Sequence, residues 1–229
     1  MTDESPRFDH LLHCVPDLDA AVQAYREAGL TASPHRQLPV AKAHFGAPFV
    51  EIVTVENRPD FLGTDRGRAF AERGWLPYAD ELAANGGGAL TFALRVPDAE
   101  AAGARLSADG HRVRTGEFTP GGFREAVLLD VPQWAPYFVT YVRADERTGD
   151  GAGHAVAGLV VETPRPAAAA VWLGEVAGVA ADPAGPVVRL PGADVHFTPG
   201  PSDAITTLLL TGAAAPTTEV EGLALRPAR

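Results

Sequence analysis

Along residues 8–15, Phe8, His10, Leu12 and Cys14 share one parity and Asp9, Leu11, His13 and Val15 the other, which predicts a mostly apolar strand. Pro16 blocks its continuation, and Asp17 is a good helix N-cap. Leu18, Ala21, Val22, Tyr25 and Ala28 then recur at helical spacing, and Gly29 is a natural stop. The stretch 37–55 predicts two or three strands, ending in Phe49-Val50-Glu51-Ile52-Val53. The pattern then returns. Ala89-Leu90-Thr91-Phe92-Ala93-Leu94 reads as a strand, Pro97-Asp98 as the corner, and Ala99, Ala102 and Leu106 as the apolar face of a helix that Gly110 stops. The interval from Asp17 to Gly29 equals that from Asp98 to Gly110, a match hard to obtain between unrelated segments. Strands are predicted near 111–115, 125–129 and 136–142. A third copy follows as a strand over 155–163 and a helix from Pro166 to Gly178, the same interval again. Short strands near 186–190, 193–198, 204–210 and 219–226 complete it.

This periodicity divides the chain into a tail (1–7), a first βαβββ unit (8–58), a connection (59–87), a second βαβββ unit (88–145) and a third, partly degenerate unit (146–229). The fold class is α+β, built of tandem βαβββ-type units. An odd unit leaves an unmatched sheet surface, which packs on the first two or forms a homodimer. The connection is polar and helical, with an aromatic pair Trp75 and Tyr78 near its end. Gly86-Gly87-Gly88 does not follow a strand, as a dinucleotide fingerprint must, so it reads as a hinge or turn and no nucleotide cofactor is expected. Residues 143–153 are a linker by composition.

Composition narrows the function. At 229 residues, 46% apolar and 21% charged, the chain can bury a sizeable core. A single cysteine, Cys14, excludes an internal disulfide framework and a Cys-rich zinc site, and fits a reducing, cytoplasmic setting. The acidic, polar start Met1-Thr2-Asp3-Glu4-Ser5 lacks a signal-peptide progression. No apolar run approaches the ~20 residues of a membrane span. A net charge of −10 argues against nucleic acid as a partner. A small-molecule ligand is the expected partner.

A His in the first strand, Val15-Pro16-Asp17-Leu18 at the corner and Phe49-Val50-Glu51-Ile52 in the last strand of the unit resemble the vicinal oxygen chelate superfamily, and within it the glyoxalase-like domain branch. Pro136-Tyr137-Phe138 and His154, at the opening of the third unit, extend the likeness over residues 8–212. The resemblance implies that the units curl into curved mixed sheets around a pocket. It also implies a divalent metal, of unspecified identity, held by one ligand from the first and one from the last strand of each unit. His10 matches the first-strand ligand and Glu51 the last-strand carboxylate. The corresponding places in the second unit are read as Thr91 and Thr140, neither a usual strong ligand. His44, a short way before Glu51, is a candidate third ligand in a two-His, one-carboxylate set.

Two functional readings follow. In one, a glyoxalase- or dioxygenase-type enzyme uses a metal at His10, Glu51 and His44 as a Lewis acid, with Glu51 as ligand or proton acceptor. In the other, the missing second-unit ligands mark a metal-free small-molecule binder or a cofactor-independent enzyme. Thr91, Arg95, Trp134 and Thr140 are the expected pocket residues. Arg95 shares the parity of Thr91 and suits an anionic ligand group. His13, of opposite parity to His10, is expected to face the helix layer or a turn. Cys14 is expected to be a buried small hydrophobe.

Overall fold

The first apolar stretch forms strand β1 (Arg7–Cys14), followed by helix α1 (Leu18–Glu27). Asp17 caps α1 by accepting the Ala20 N–H at 3.0 Å, and Leu18, Ala21, Val22 and Tyr25 are its buried face. Strands β2 (Ser33–Gln37), β3 (Val40–Phe45) and β4 (Phe49–Val55) complete the first unit. The connection folds as three short helices, α2 (Arg58–Gly63), α3 (Asp65–Arg73) and α4 (Trp75–Ala84). The second unit runs β5 (Gly88–Arg95), α5 (Ala99–Ala108), β6 (Val113–Phe118), β7 (Phe123–Leu128) and β8 (Tyr137–Tyr141). Asp98 caps α5 through the Glu100 and Ala101 N–H groups, repeating the role of Asp17. Then come β9 (Ala155–Thr163), α6 (Pro166–Ala177), β10 (Val187–Leu190), β11 (Ala193–Pro199), β12 (Ala204–Thr211), β13 (Thr218–Val220) and β14 (Leu223–Pro227).

The computed structural model describes residues 5–37, 40–45, 48–118, 122–142, 153–212 and 215–228, with the side chains at 35–37, 44–45 and 118 outside the description. Residues 1–4 of the expected tail and 143–152 of the expected linker lie outside it as well.

One mixed sheet joins the strands. In the first unit β1 pairs parallel to β4, and β4, β3 and β2 follow antiparallel. In the second, β5 pairs parallel to β8, with β7 and β6 beyond. The antiparallel β1–β5 pair joins the two units. The C-terminal region repeats these pairings in shortened form. There β9 is parallel to β11, β9 is antiparallel to β12, and β12 is parallel to β14. Among the described residues a single β12–β5 pairing, Ile205 with Ala89, links the two halves of the sheet.

Helices α1, α5 and α6 cover one face of the sheet, over a core that includes Leu11, Tyr25, Phe92, Phe138, Leu173 and Phe197. Helices α2, α3 and α4 cover the opposite face of the first two units, against Leu12, Val53, Leu90 and Val127. Among the described residues no helix is long and apolar enough to cross a membrane. The glycine triplet is a packed turn. A Cβ on Gly87, which has φ +111°, would lie 2.5 Å from the Glu221 carbonyl oxygen.

Candidate functional site

The face of β1 turned toward α2–α4 presents His10. Phe49, opposite it on β4, stacks on the imidazole with ring centres 4.6 Å apart. Further along β4, on the same face, Glu51 brings Oε2 to 3.6 Å from His10 Nε2. Both side chains are almost fully buried.

Each ring nitrogen of His10 already has a partner. Nδ1 lies 2.6 Å from Asp9 Oδ2, and Nε2 lies 2.6 Å from the Tyr137 hydroxyl. Tyr141 donates its hydroxyl to the same Asp9 oxygen at 2.7 Å. Burial works against the Asp9 carboxylate, but His10, Tyr141 and Arg95 outweigh it and hold Asp9 below the usual carboxylate range. An ionised carboxylate only accepts, so Nδ1 carries a proton, and in the Nδ1–H tautomer Nε2 accepts the Tyr137 hydroxyl proton. Burial pushes the Tyr137 phenol well above its ordinary value; Glu51, Glu125 and Asp9 add to this and Arg66 opposes it. Tyr137 therefore remains protonated. Asp9, His10 and Tyr137 form a continuous hydrogen-bonded chain across β1 and β8.

Glu51 is met by cations. The Lys42 ammonium, on the neighbouring strand β3, forms a close ion pair with Oε1. Arg66, reaching in from α3, brings a guanidinium nitrogen to 3.9 Å from Oε2. The Arg66 guanidinium lies 5.6 Å from the Phe70 ring centre and 5.3 Å from that of Phe123. It makes no hydrogen bond among the described residues. Burial alone would lower its pKa, but Tyr137, Glu51, Glu125 and Tyr141 raise it, so the group is a fixed charge.

These side chains enclose a small polar chamber of about 30 Å³. Lys42 and Arg66 also line a second, larger space of about 300 Å³ between the sheet and α2–α4. Its walls are mainly apolar, with Leu12, Val53, Phe61, Phe70, Leu76 and Ala79 among them. Arg58 of α2 and Asp80 of α4 both line it and form an exposed ion pair with each other. Cys14 lines it too, but burial and then the charge of Glu51 push its thiol up to about 12, so it is not a nucleophile at neutral pH.

The remaining sequence candidates separate. The backbone of His44 pairs directly with Glu51, while its side chain lies outside the described residues. Thr91 is buried and donates its hydroxyl to the Ala135 carbonyl at 2.8 Å. Arg95 lies at the border of the polar cluster, 5.1 Å from the Tyr141 ring centre. Thr140 does not line the chamber: Tyr137, Val139 and Tyr141 do, and the alternate parity sends Thr140 to donate to the Val96 carbonyl at 2.8 Å. Trp134 is packed on the other face of the sheet, against Trp172 and Phe197, away from His10.

The strand register corrects the residue matched to Glu51. The repeat offset is set by the helix caps, Asp17 in the first unit and Asp98 in the second. The same offset takes His10 to Thr91 and Leu12 to Ala93. Leu12 pairs with Glu51 on β4, and Ala93 pairs with Tyr137 on β8. The counterpart of Glu51 is therefore Tyr137, not Thr140. Sequence reasoning also passed over Asp9, Lys42, Arg66 and Tyr141 as site residues. Only Asp9, next to His10 in the motif, carried a local signal.

Among the described residues, which leave out the His44 side chain, the donor set does not fit a tightly held divalent ion. Among the described residues no three His, Cys, Asp or Glu side chains gather as a metal cluster. Of the four places where ligands would stand, one holds Thr91, turned into a carbonyl, and one holds the protonated Tyr137. The lone-pair position of His10 Nε2 is taken by Tyr137, and Glu51 is already neutralised by Lys42. A dication here would meet two resident positive charges.

Comparison with known proteins gives one family match. The model of the glyoxalase-like domain matches residues 8–177. Among solved structures, a hypothetical protein from Staphylococcus aureus superposes with a TM-score of 0.70 at 13% identity, over 95% of this chain and 97% of that one. The Mn(II)-bound glyoxalase from Novosphingobium aromaticivorans gives 0.53 at 14% identity, over 90% of this chain and 65% of that one. A xylose isomerase-like TIM barrel/4-hydroxyphenylpyruvate dioxygenase fusion protein gives 0.55 at 14% identity, over 90% and 36%. At these identities the likeness shows a shared fold. No curated protein matches the chain significantly.

Proposed function

Because the chain belongs to the glyoxalase-like domain family, we propose that it uses the family's pocket without the family's metal, as a metal-independent site for a small organic molecule. One observation carries this reading: the Lys42 ammonium is paired with Glu51, the carboxylate that would otherwise hold the ion. The engaged ring nitrogens of His10 support it. In this reading Lys42 and Arg66 supply fixed positive charge to the pocket. Unlike a metal, they have no open coordination positions, so they attract and orient an oxygen-bearing group without making coordinate bonds.

The Asp9–His10–Tyr137 chain favours a second reading, in which the same pocket moves a proton. Asp9 holds the Nδ1 proton and would stabilise an imidazolium. Tyr137 is placed to hand its proton to His10 Nε2 or take it back. In such an exchange the Tyr137 oxygen takes the proton of a ligand α-carbon as its own proton passes to His10 Nε2, leaving an enolate beside Lys42 and Arg66 and an imidazolium beside Asp9. The test is isotope exchange: a bound carbonyl compound should lose deuterium from its α-carbon with wild type and not with Tyr137→Phe. No exchange with wild type would reject the second reading and leave binding alone.

Titration calorimetry of chelator-treated protein tests the main reading. Mn²⁺, Zn²⁺ and Ni²⁺ are expected to give no one-to-one complex. A stoichiometric complex that disappears in His10→Ala would overturn it.

A further inference from the structure

The proposed pocket has two parts, and the boundary between them points to its ligand. The polar chamber has room for about one water. The adjoining space of about 300 Å³ lies at the small end of ligand pockets and is walled mainly by hydrocarbon and aromatic rings. Lys42 and Arg66 line both, so they stand where the two parts meet. Their situations differ. Lys42 is committed to Glu51, whereas Arg66 has five N–H donors and no hydrogen bond among the described residues. A half-buried guanidinium, held between two aromatic rings with its donors unfilled, is a receptor for an oxyanion. Its planar fork matches a carboxylate best.

We propose that the site takes an amphipathic organic carboxylate, with the carboxylate on Arg66 and the apolar body in the space under α2–α4. This assignment rests on the metal-independent reading above and gives it a ligand class. It also accounts for the inserted helices. Phe61 of α2, Phe70 of α3, and Leu76 and Ala79 of α4 all line the apolar part, so each inserted helix contributes to its wall. The Arg58–Asp80 ion pair bridges α2 and α4 on the solvent side of the same space.

The probes are octanoate, 1-octanol and acetate, measured by calorimetry on the full chain in the presence of EDTA. Octanoate is expected to bind at least about tenfold more tightly than 1-octanol, the difference that a charge-assisted pair contributes. Acetate, which lacks the apolar body, is expected not to bind measurably. Arg66→Gln should bring octanoate down to the level of 1-octanol. Ala79→Phe, which fills the apolar part, should abolish binding of both. The comparison of octanoate with 1-octanol needs only wild type, so it stands even where a variant fails to fold. Equal affinity for the two probes would overturn the carboxylate assignment and leave the metal-free reading intact. So would octanoate binding that Arg66→Gln does not weaken. Octanoate binding that appears only after Mn²⁺ is added would overturn both. Failure of every probe, with and without Mn²⁺, would overturn the ligand assignment.

Discussion

His13 should make the protein acid-sensitive by an amount that follows from its surroundings. It is completely buried on the α1 side of β1. Its Nδ1 accepts the Tyr25 hydroxyl at 2.7 Å, and its Nε2–H donates to the Glu221 carbonyl at 2.8 Å. The neutral ring is thus fully satisfied, and the charged ring would be enclosed with no counter-ion in contact among the described residues. Burial lowers its pKa to about 4 from the ordinary 6.5, although the Glu221 carbonyl pulls the other way. Between those two values the unfolded chain binds a proton that the native chain refuses, so stability rises with pH and falls on acidification. At about 1.36 kcal/mol per pKa unit, the loss is roughly 2 kcal/mol between pH ~7.5 and ~5, and roughly 3 kcal/mol once the pH is below ~4. The Glu221 carboxyl, raised by burial and by Asp17, and the buried Glu125, also raised by burial, titrate with the opposite sign. The comparison must therefore be with a variant that changes His13 alone. Urea unfolding of wild type and His13→Gln at the two pH values isolates the effect: the variant should lose about 2 kcal/mol less on acidification. Parallel pH dependence of the two proteins would show that His13 is not the group that makes the fold acid-sensitive. So would an imidazole NMR signal of native His13 that titrates near its ordinary value.

Three further outcomes are expected. Lys42→Ala should form a measurable Mn²⁺ complex where wild type forms none, because it removes the cation that occupies Glu51; calorimetry showing no complex with the variant either would contradict the pairing. Native Cys14 should resist a thiol reagent at mildly alkaline pH and react only as fast as the protein unfolds, since its thiol is buried and pushed up to about 12. Rapid labelling of the folded protein would reject that. Gly67→Ala should cost about 1–3 kcal/mol in urea unfolding, because its Cβ would fall 1.8 Å from the Phe61 carbonyl oxygen where α3 packs on α2. An unchanged midpoint would mean that the two helices are not locked as described.

The local layers of the fold were legible in the sequence. Asp17 and Asp98 cap their helices through their own side chains, and the apolar spacing after each gives the buried face, so both βα corners could be read directly. Strand register was not legible in this way. Phe49-Val50-Glu51 and Phe138-Val139-Thr140 look alike, but pairing with β1 and β5 sets the true correspondence earlier in β8, at Tyr137. A two-residue period gives the face of a strand and not its offset, which depends on partners far away in the chain. His10 and Glu51 were visible because both stand in strands with recognisable motifs. Lys42 and Arg66 were not, because their importance comes from where β3 and α3 carry them. Trp134 had the right composition for a pocket but the wrong face of the sheet.

The claim that the pocket works without a metal rests on the Lys42–Glu51 pair and requires as well that Tyr137, not an ion, occupies His10 Nε2. The imidazole ¹⁵N shifts of His10, recorded before and after an excess of Zn²⁺, test this directly. An Nδ1-protonated ring whose Nε2 resonance stays where it was is the expected result. Movement of that resonance to a metal-bound position, lost again on adding chelator, would contradict it.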